Sequence, residues 1–123
     1  VEKAGGKALI IDHLSHFDKV DKVILPGVGS FKDAMQKLEN SNFIEPLKST
    51  TKPILGICLG MQILSTLGFE YGETKGLGLI QAEVKPMLVS AKVPHVGYNT
   101  LETSRNSKLL KGLEGVEFYF MHS

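Results

Sequence analysis

The sequence predicts a doubly wound α/β fold. Three features carry that expectation. Short apolar runs alternate with amphipathic segments, Gly- and Pro-containing turns join them, and the run Ile54–Ile57 is continuously apolar, as in a parallel strand covered on both faces. The 123 residues suffice for one domain with a real core. A β-α-β-α order also calls for right-handed crossovers.

The elements follow in order. Val1 to Gly6 reads as the last turn of a helix closed by Gly5 or Gly6. Lys7–Asp12 and Lys22–Leu25 read as strands, the second ended by Pro26-Gly27. Ser30 reads as a helix N-cap with Asp33 three residues on, a capping-box variant. Phe31, Ala34, Met35 and Leu38 then form one apolar helical face. Asn42 is the expected cap of a shorter helix from Phe43 to Lys48. After the strand Ile54–Ile57, the residues Leu59, Ile63, Leu64 and Leu67 mark the buried side of a helix closed by Gly68. The chain then turns to short β-type runs, Gly76–Ile80, Ala82–Met87, Val93–Asn99 and Glu117–His122. These are expected as strands, some antiparallel, added at the sheet edge. Val1 is not Met, and Val116–Ser123 reads as a strand that stops without a turn. Both ends are therefore expected to lie inside a longer protein, with part of the sheet left bare.

Composition narrows the classes. A net charge of +1 gives no argument for a nucleic acid or an anionic membrane as partner. No apolar run has the length of a membrane-spanning helix, and no signal peptide is visible. A single cysteine excludes an intrachain disulfide framework and fits a reducing compartment.

That cysteine is the centre of the chemistry. Cys58 lies between Gly56 and Gly60, after an apolar run and before an apolar-periodic segment. This is a G-x-C-x-G form of the nucleophile elbow, in which a strand turns sharply into a helix and presents the nucleophile. A helix N-terminus there favours thiolate. A lone cysteine is usually a small buried hydrophobe; the flanking glycines and the strand-to-helix setting reverse that reading. Pro26-Gly27-Val28-Gly29-Ser30, at the end of another strand, is expected beside it. In open α/β sheets the site lies beyond the strands' carboxyl ends. Its exposed backbone N–H groups suit an oxyanion. As a phosphate loop it lacks the Lys-Ser/Thr ending.

Leu25-Pro-Gly-Val-Gly-Ser-Phe31, Gly56-Ile-Cys-Leu-Gly-Met-Gln62, Gly76-Leu-Gly-Leu-Ile80, Pro94-His-Val-Gly-Tyr-Asn99 and Tyr119-Phe-Met-His-Ser123 occur in this order. Together they resemble the class I, triad-type glutamine amidotransferases, and within them the glutaminase subunits of imidazole glycerol phosphate synthases. The resemblance runs from about Leu9 to Ser123. It implies a flavodoxin-like, doubly wound, mostly parallel sheet, with residues 1–123 as one partial domain. It implies hydrolysis of glutamine to glutamate and ammonia in the cytoplasm, with neither metal nor cofactor. The ammonia passes to a TIM-barrel synthase subunit, the other half of a heterodimer, in histidine biosynthesis.

The resemblance also implies roles. Cys58 is the nucleophile, the Leu59 N–H one oxyanion donor, and the Gly27-Val28-Gly29 strand the other. Gln62, His122 and Ser123 line the glutamine pocket. His95, Tyr98, Asn99 and Tyr119 lie toward the partner face and ammonia exit; Tyr98 stands where the family usually has Trp. The family's general base is a His held by a Glu in a downstream His-Pro-Glu segment, which these 123 residues do not contain. His13 and His16 read as solvated surface, and His95 as structural or interfacial. A paralogous subunit feeding a surface-polysaccharide sugar synthase, an α/β-hydrolase or other cysteine-elbow protein, and a non-catalytic interaction subunit remain open as alternatives.

Overall fold

The computed structural model describes residues 1–102 and 107–123. The chain forms two compact units, Val1–Lys85 and Pro86–Ser123.

The first unit is built on a parallel pair, β1 (Val23–Gly27) and β2 (Ile54–Cys58). Two helices connect them, α2 (Phe31–Asn40) and α3 (Ile44–Ser49), after a short α1 (Leu14–Phe17). The turn α4 (Leu59–Gln62) follows β2 directly. A second sheet has the order β4-β3-β5, from β3 (Ser65–Gly68), β4 (Thr74–Lys75) and β5 (Ile80–Val84). There β3 runs antiparallel to β4 and parallel to β5. This mixed α/β architecture with parallel pairs agrees with the flavodoxin-like class expected from the sequence.

Ser30 caps α2 as its sequence predicts, its Oγ accepting from the Asp33 N–H at 3.1 Å. Phe31 and Met35 are buried on the predicted face, with Ala34 and Leu38 packed beside them. The core joins these to Phe17, Val23, Leu47, Leu59, Ile63, Leu64 and Leu77. Gly5, in the left-handed region at φ 78°, closes a single 3₁₀ turn at Glu2–Ala4, as the first residues suggest.

Four expectations fail, each for a physical reason. Lys7–Asp12 forms no strand and joins no ladder among the described residues, and Ile10 is 84% exposed. An apolar run becomes a strand only when a neighbour takes its backbone hydrogen bonds. Asn42 does not cap α3. It sits at φ 59° just past α2, where its N–H donates to the Glu39 carbonyl, so it closes the preceding helix.

The helix after Cys58 is one turn long and does not reach Gly68. The carbonyls of Ile63, Leu64 and Ser65 accept from Leu77, Ile80 and Gly78, so residues that would have continued the helix pair with the Gly76–Ile80 segment. Leu67 consequently lies in β3. Finally, the parallel pair is covered on one face only. Ile24, Leu55 and Ile57 alternate onto the other and are 40–48% exposed.

The second unit is an antiparallel ladder of β6 (His95–Thr100) and β7 (Glu117–His122), in register from His95 opposite His122 to Thr100 opposite Glu117.

Phe31 holds the first unit together. Its ring is 1% exposed and lies over Gly68, where an added Cβ would come within 2.6 Å of Cδ2. Phe31→Ala is expected to cost about 3–5 kcal/mol in urea denaturation. A loss below about 1 kcal/mol would show that the unit is not organised around this ring.

Candidate functional site

The site is set by a register. In the parallel ladder Gly27 is the partner of Cys58, so the end of β1 and the elbow lie side by side. The juxtaposition expected from strand ends is therefore present. Cys58 has φ 54° and ψ −121°, a backbone conformation that L-residues adopt at a cost of about 1–3 kcal/mol. The main chain reverses there from strand to helix and leaves the residue exposed. The thiol stands at the tip of the turn, where an incoming carbonyl can reach it.

The flanking glycines make the turn possible. A Cβ on Gly60 would lie 1.7 Å from the Leu25 carbonyl oxygen, and one on Gly56 would lie 2.4 Å from the Met61 Cα. The backbone of α4 therefore rests directly on β1 and β2. Gly27 is nearly as tight, its missing Cβ facing the Gly60 nitrogen at 3.0 Å.

Leu59, the residue after Cys58, is 3% exposed, so its side chain anchors the turn in the core. The N–H groups of the first turn of a helix have no partner within it. With a single turn, α4 carries a much shorter aligned dipole than the helix the sequence predicted. Gln62 is the last residue of α4, half-buried.

The Gly27–Ser30 loop starts beside the elbow. Val28 is 92% exposed, and Gly29 takes φ 97°, which favours glycine. This loop joins Ile11, Asp12, Asp33, Lys37, Leu59 and Ile63 around a cleft of about 470 Å³, whose lining does not include Cys58. Glu70, which no motif singles out, reaches the loop's far end. Its Oε2 accepts from the Phe31 N–H at 2.8 Å. Only a contact across 39 positions reveals it.

His13 and His16 have local partners. His13 Nδ1 accepts from the Ser15 N–H as the cap of α1, and His16 Nδ1 lies 3.0 Å from the Asp12 carboxylate. In the second unit the pleat separates residues that the sequence grouped. Tyr98 faces Tyr119, ring centres 5.4 Å apart, on the side of Val96 and Met121. His95 and Asn99 lie on the opposite side. There His95 Nδ1 and His122 Nε2 are 3.1 Å apart, and the Asn99 Oδ1 accepts from the Thr100 N–H. Ser123 follows β7.

The strained Cys58 backbone has a measurable consequence. Cys58→Gly removes a cost of about 1–3 kcal/mol and adds roughly 0.5–1 kcal/mol of unfolded-chain entropy. A net stabilisation of about 1 kcal/mol is expected by denaturant titration, and destabilisation would show that the turn is unstrained. Gly60→Ala, with a backbone oxygen in the way, is expected to lose about 3 kcal/mol.

The chain is similar to known proteins over nearly its whole length. The chain is 44% identical over 125 residues to the imidazole glycerol phosphate synthase subunit HisH of Desulfitobacterium hafniense, covering 98% of this chain and 59% of that protein. It is 44% identical over 129 residues to subunit HisH 1 of Campylobacter jejuni, covering 99% of this chain and 64% of that protein. To the HisH of Aquifex aeolicus it is 42% identical over 109 residues, covering 85% and 53%. The chain thus spans about six-tenths of the length of the curated relatives it matches. Residues 7–123 match the family described as glutamine amidotransferase class-I. With the motif cysteine on a strained strand-to-helix turn and the glycine loop in register beside it, this chain belongs to the class I glutamine amidotransferases.

Proposed function

We propose that this chain provides the nucleophile and oxyanion elements of a glutaminase subunit, which releases ammonia from glutamine for an imidazole glycerol phosphate synthase in histidine biosynthesis. The observation that carries this is Cys58 at φ 54°, directly paired with Gly27. The similarity to HisH subunits supports the choice of pathway.

In this mechanism the Cys58 thiolate attacks the amide carbon of glutamine. A base takes the thiol proton and delivers it to the leaving nitrogen; ammonia departs as the tetrahedral intermediate collapses to a thioester, which water then cleaves to glutamate and the free thiol. Splitting the reaction this way suits a poor electrophile such as an amide. The carbonyl oxygen becomes an oxyanion held by the Leu59 N–H and by an N–H of the Gly27–Gly29 strand. One such donor is worth about 3 kcal/mol. Gln62 is the glutamine contact proposed in the first unit, and the family resemblance gives His122 and Ser123 of the second unit the same role. The base is the His of the family's downstream His-Pro-Glu segment, oriented by its Glu. The ammonia passes to a TIM-barrel synthase partner in the cytoplasm, and Tyr98 with Tyr119 offers that partner an aromatic surface. Among the described residues no helix is long and apolar enough to cross a membrane.

Cys58→Ser in the full-length protein tests the reading. Glutamine-dependent synthesis is expected to disappear while synthesis from free ammonia persists. Surviving glutaminase activity would overturn the assignment. The 123-residue chain assayed alone, or with the synthase partner, is expected to turn over no glutamine; robust turnover would overturn the assignment of the base to the downstream His.

A further inference from the structure

We propose that Glu70 is a positioning residue for the oxyanion strand, acting through the Phe31 N–H; this rests on the glutaminase reading above. Gly27-Val28-Gly29-Ser30 is held at its start by the ladder to Cys58. Its middle is free. Val28 is 92% exposed, and a Cβ at Gly29 would have no neighbour within 4 Å. The loop's geometry therefore depends on how its far end is fixed, at the first residue of α2.

Three contacts fix that end. The Phe31 ring is buried over Gly68, and Ser30 Oγ accepts from Asp33 N–H. Glu70 Oε2 accepts from the Phe31 N–H at 2.8 Å. The first two hold the helix to the core and to itself. Among the described residues only Glu70 ties the first backbone amide of α2 to the segment that leaves the elbow, two residues past Gly68 at the end of β3. A carboxylate there is a strong acceptor and also faces the positive end of a ten-residue helix. Glu70 thus closes a loop of structure. Cys58 leads through α4 and β3 to Glu70, Glu70 holds Phe31, and Phe31 follows the Gly27–Ser30 loop that starts in register with Cys58. The clamp sets the distance between nucleophile and oxyanion donor without touching glutamine.

The test uses the full-length protein assembled with its synthase subunit. Glu70→Ala is expected to lower kcat for glutamine hydrolysis about 10- to 100-fold with KM within about twofold, as for misplaced catalytic groups. Glu70→Gln keeps an acceptor oxygen and is expected to restore kcat to within about threefold of wild type. Alkylation of Cys58 by iodoacetamide, which needs no oxyanion donor, is expected to be unchanged in both variants. Three results would overturn the proposal: a rise in KM at constant kcat, an equal loss in the Ala and Gln variants, or no loss in either. Glu70→Asp, one methylene shorter, serves if the Ala variant does not fold, and is expected to behave like it. Hydrogen exchange at the Phe31 amide tests the clamp without the reaction. Exchange is expected to quicken in Glu70→Ala and recover in Glu70→Gln, and unchanged exchange would refute the clamp. Wild-type protein that hydrolyses no glutamine would instead refute the glutaminase reading.

Discussion

The close approach of α4 to the β1–β2 ladder is the constraint on which the first unit depends. A helix normally stands off a strand by the thickness of its side chains. Here Gly56 and Gly60 remove that thickness, and the α4 backbone comes so near that a methyl group at Gly60 would meet the Leu25 carbonyl. That contact forces Cys58 into a positive φ and points the chain back across the strand ends. The same contact puts the Leu59 side chain into the core. Strain and burial are therefore coupled: the strain at Cys58 is held by the burial of its neighbour Leu59, as is usual where a backbone is kept off its preferred geometry.

The loop beside the elbow shows a different economy. It is exposed through its middle and ordered only from its ends. A strand register fixes one end and a helix start fixes the other, with Phe31 serving both as the first residue of α2 and as a central core side chain. Short backbone segments held this way keep their N–H groups free for a ligand, which a fully packed loop cannot do.

The hairpin unit adds paired aromatic and imidazole rings. Tyr98 and Tyr119 share one face, with Val96 and Met121 also exposed there, while His95 and His122 share the other with Phe120. Strand alternation makes this division unavoidable for neighbours such as Tyr98 and Asn99. Each exposed tyrosine there is amphipathic, apolar along its ring and polar at its hydroxyl.

Local chemistry was legible in the sequence. The Ser30 cap, the α2 face, the β1 and β2 runs, the Gly56-x-Cys58-x-Gly60 elbow and its Pro26–Ser30 neighbour depend on nearest neighbours and on spacing, which a sequence displays. Tertiary partners decided the rest. Lys7–Asp12 has the composition of a strand yet no ladder to join, while Ser65–Gly68 left a helical pattern because Gly76–Ile80 claimed its carbonyls. Asn42 closed a helix instead of opening one because its amide found Glu39 behind it. Glu70 carries no motif, and its bond to Phe31 exists only once two distant turns are folded together. Sequence by itself determined the cysteine turn, the glycines around it and the α/β class, because steric necessity at a tight turn is written in adjacent residues. Folding alone decided which backbone groups pair, since a hydrogen bond needs a partner that may lie anywhere along the chain.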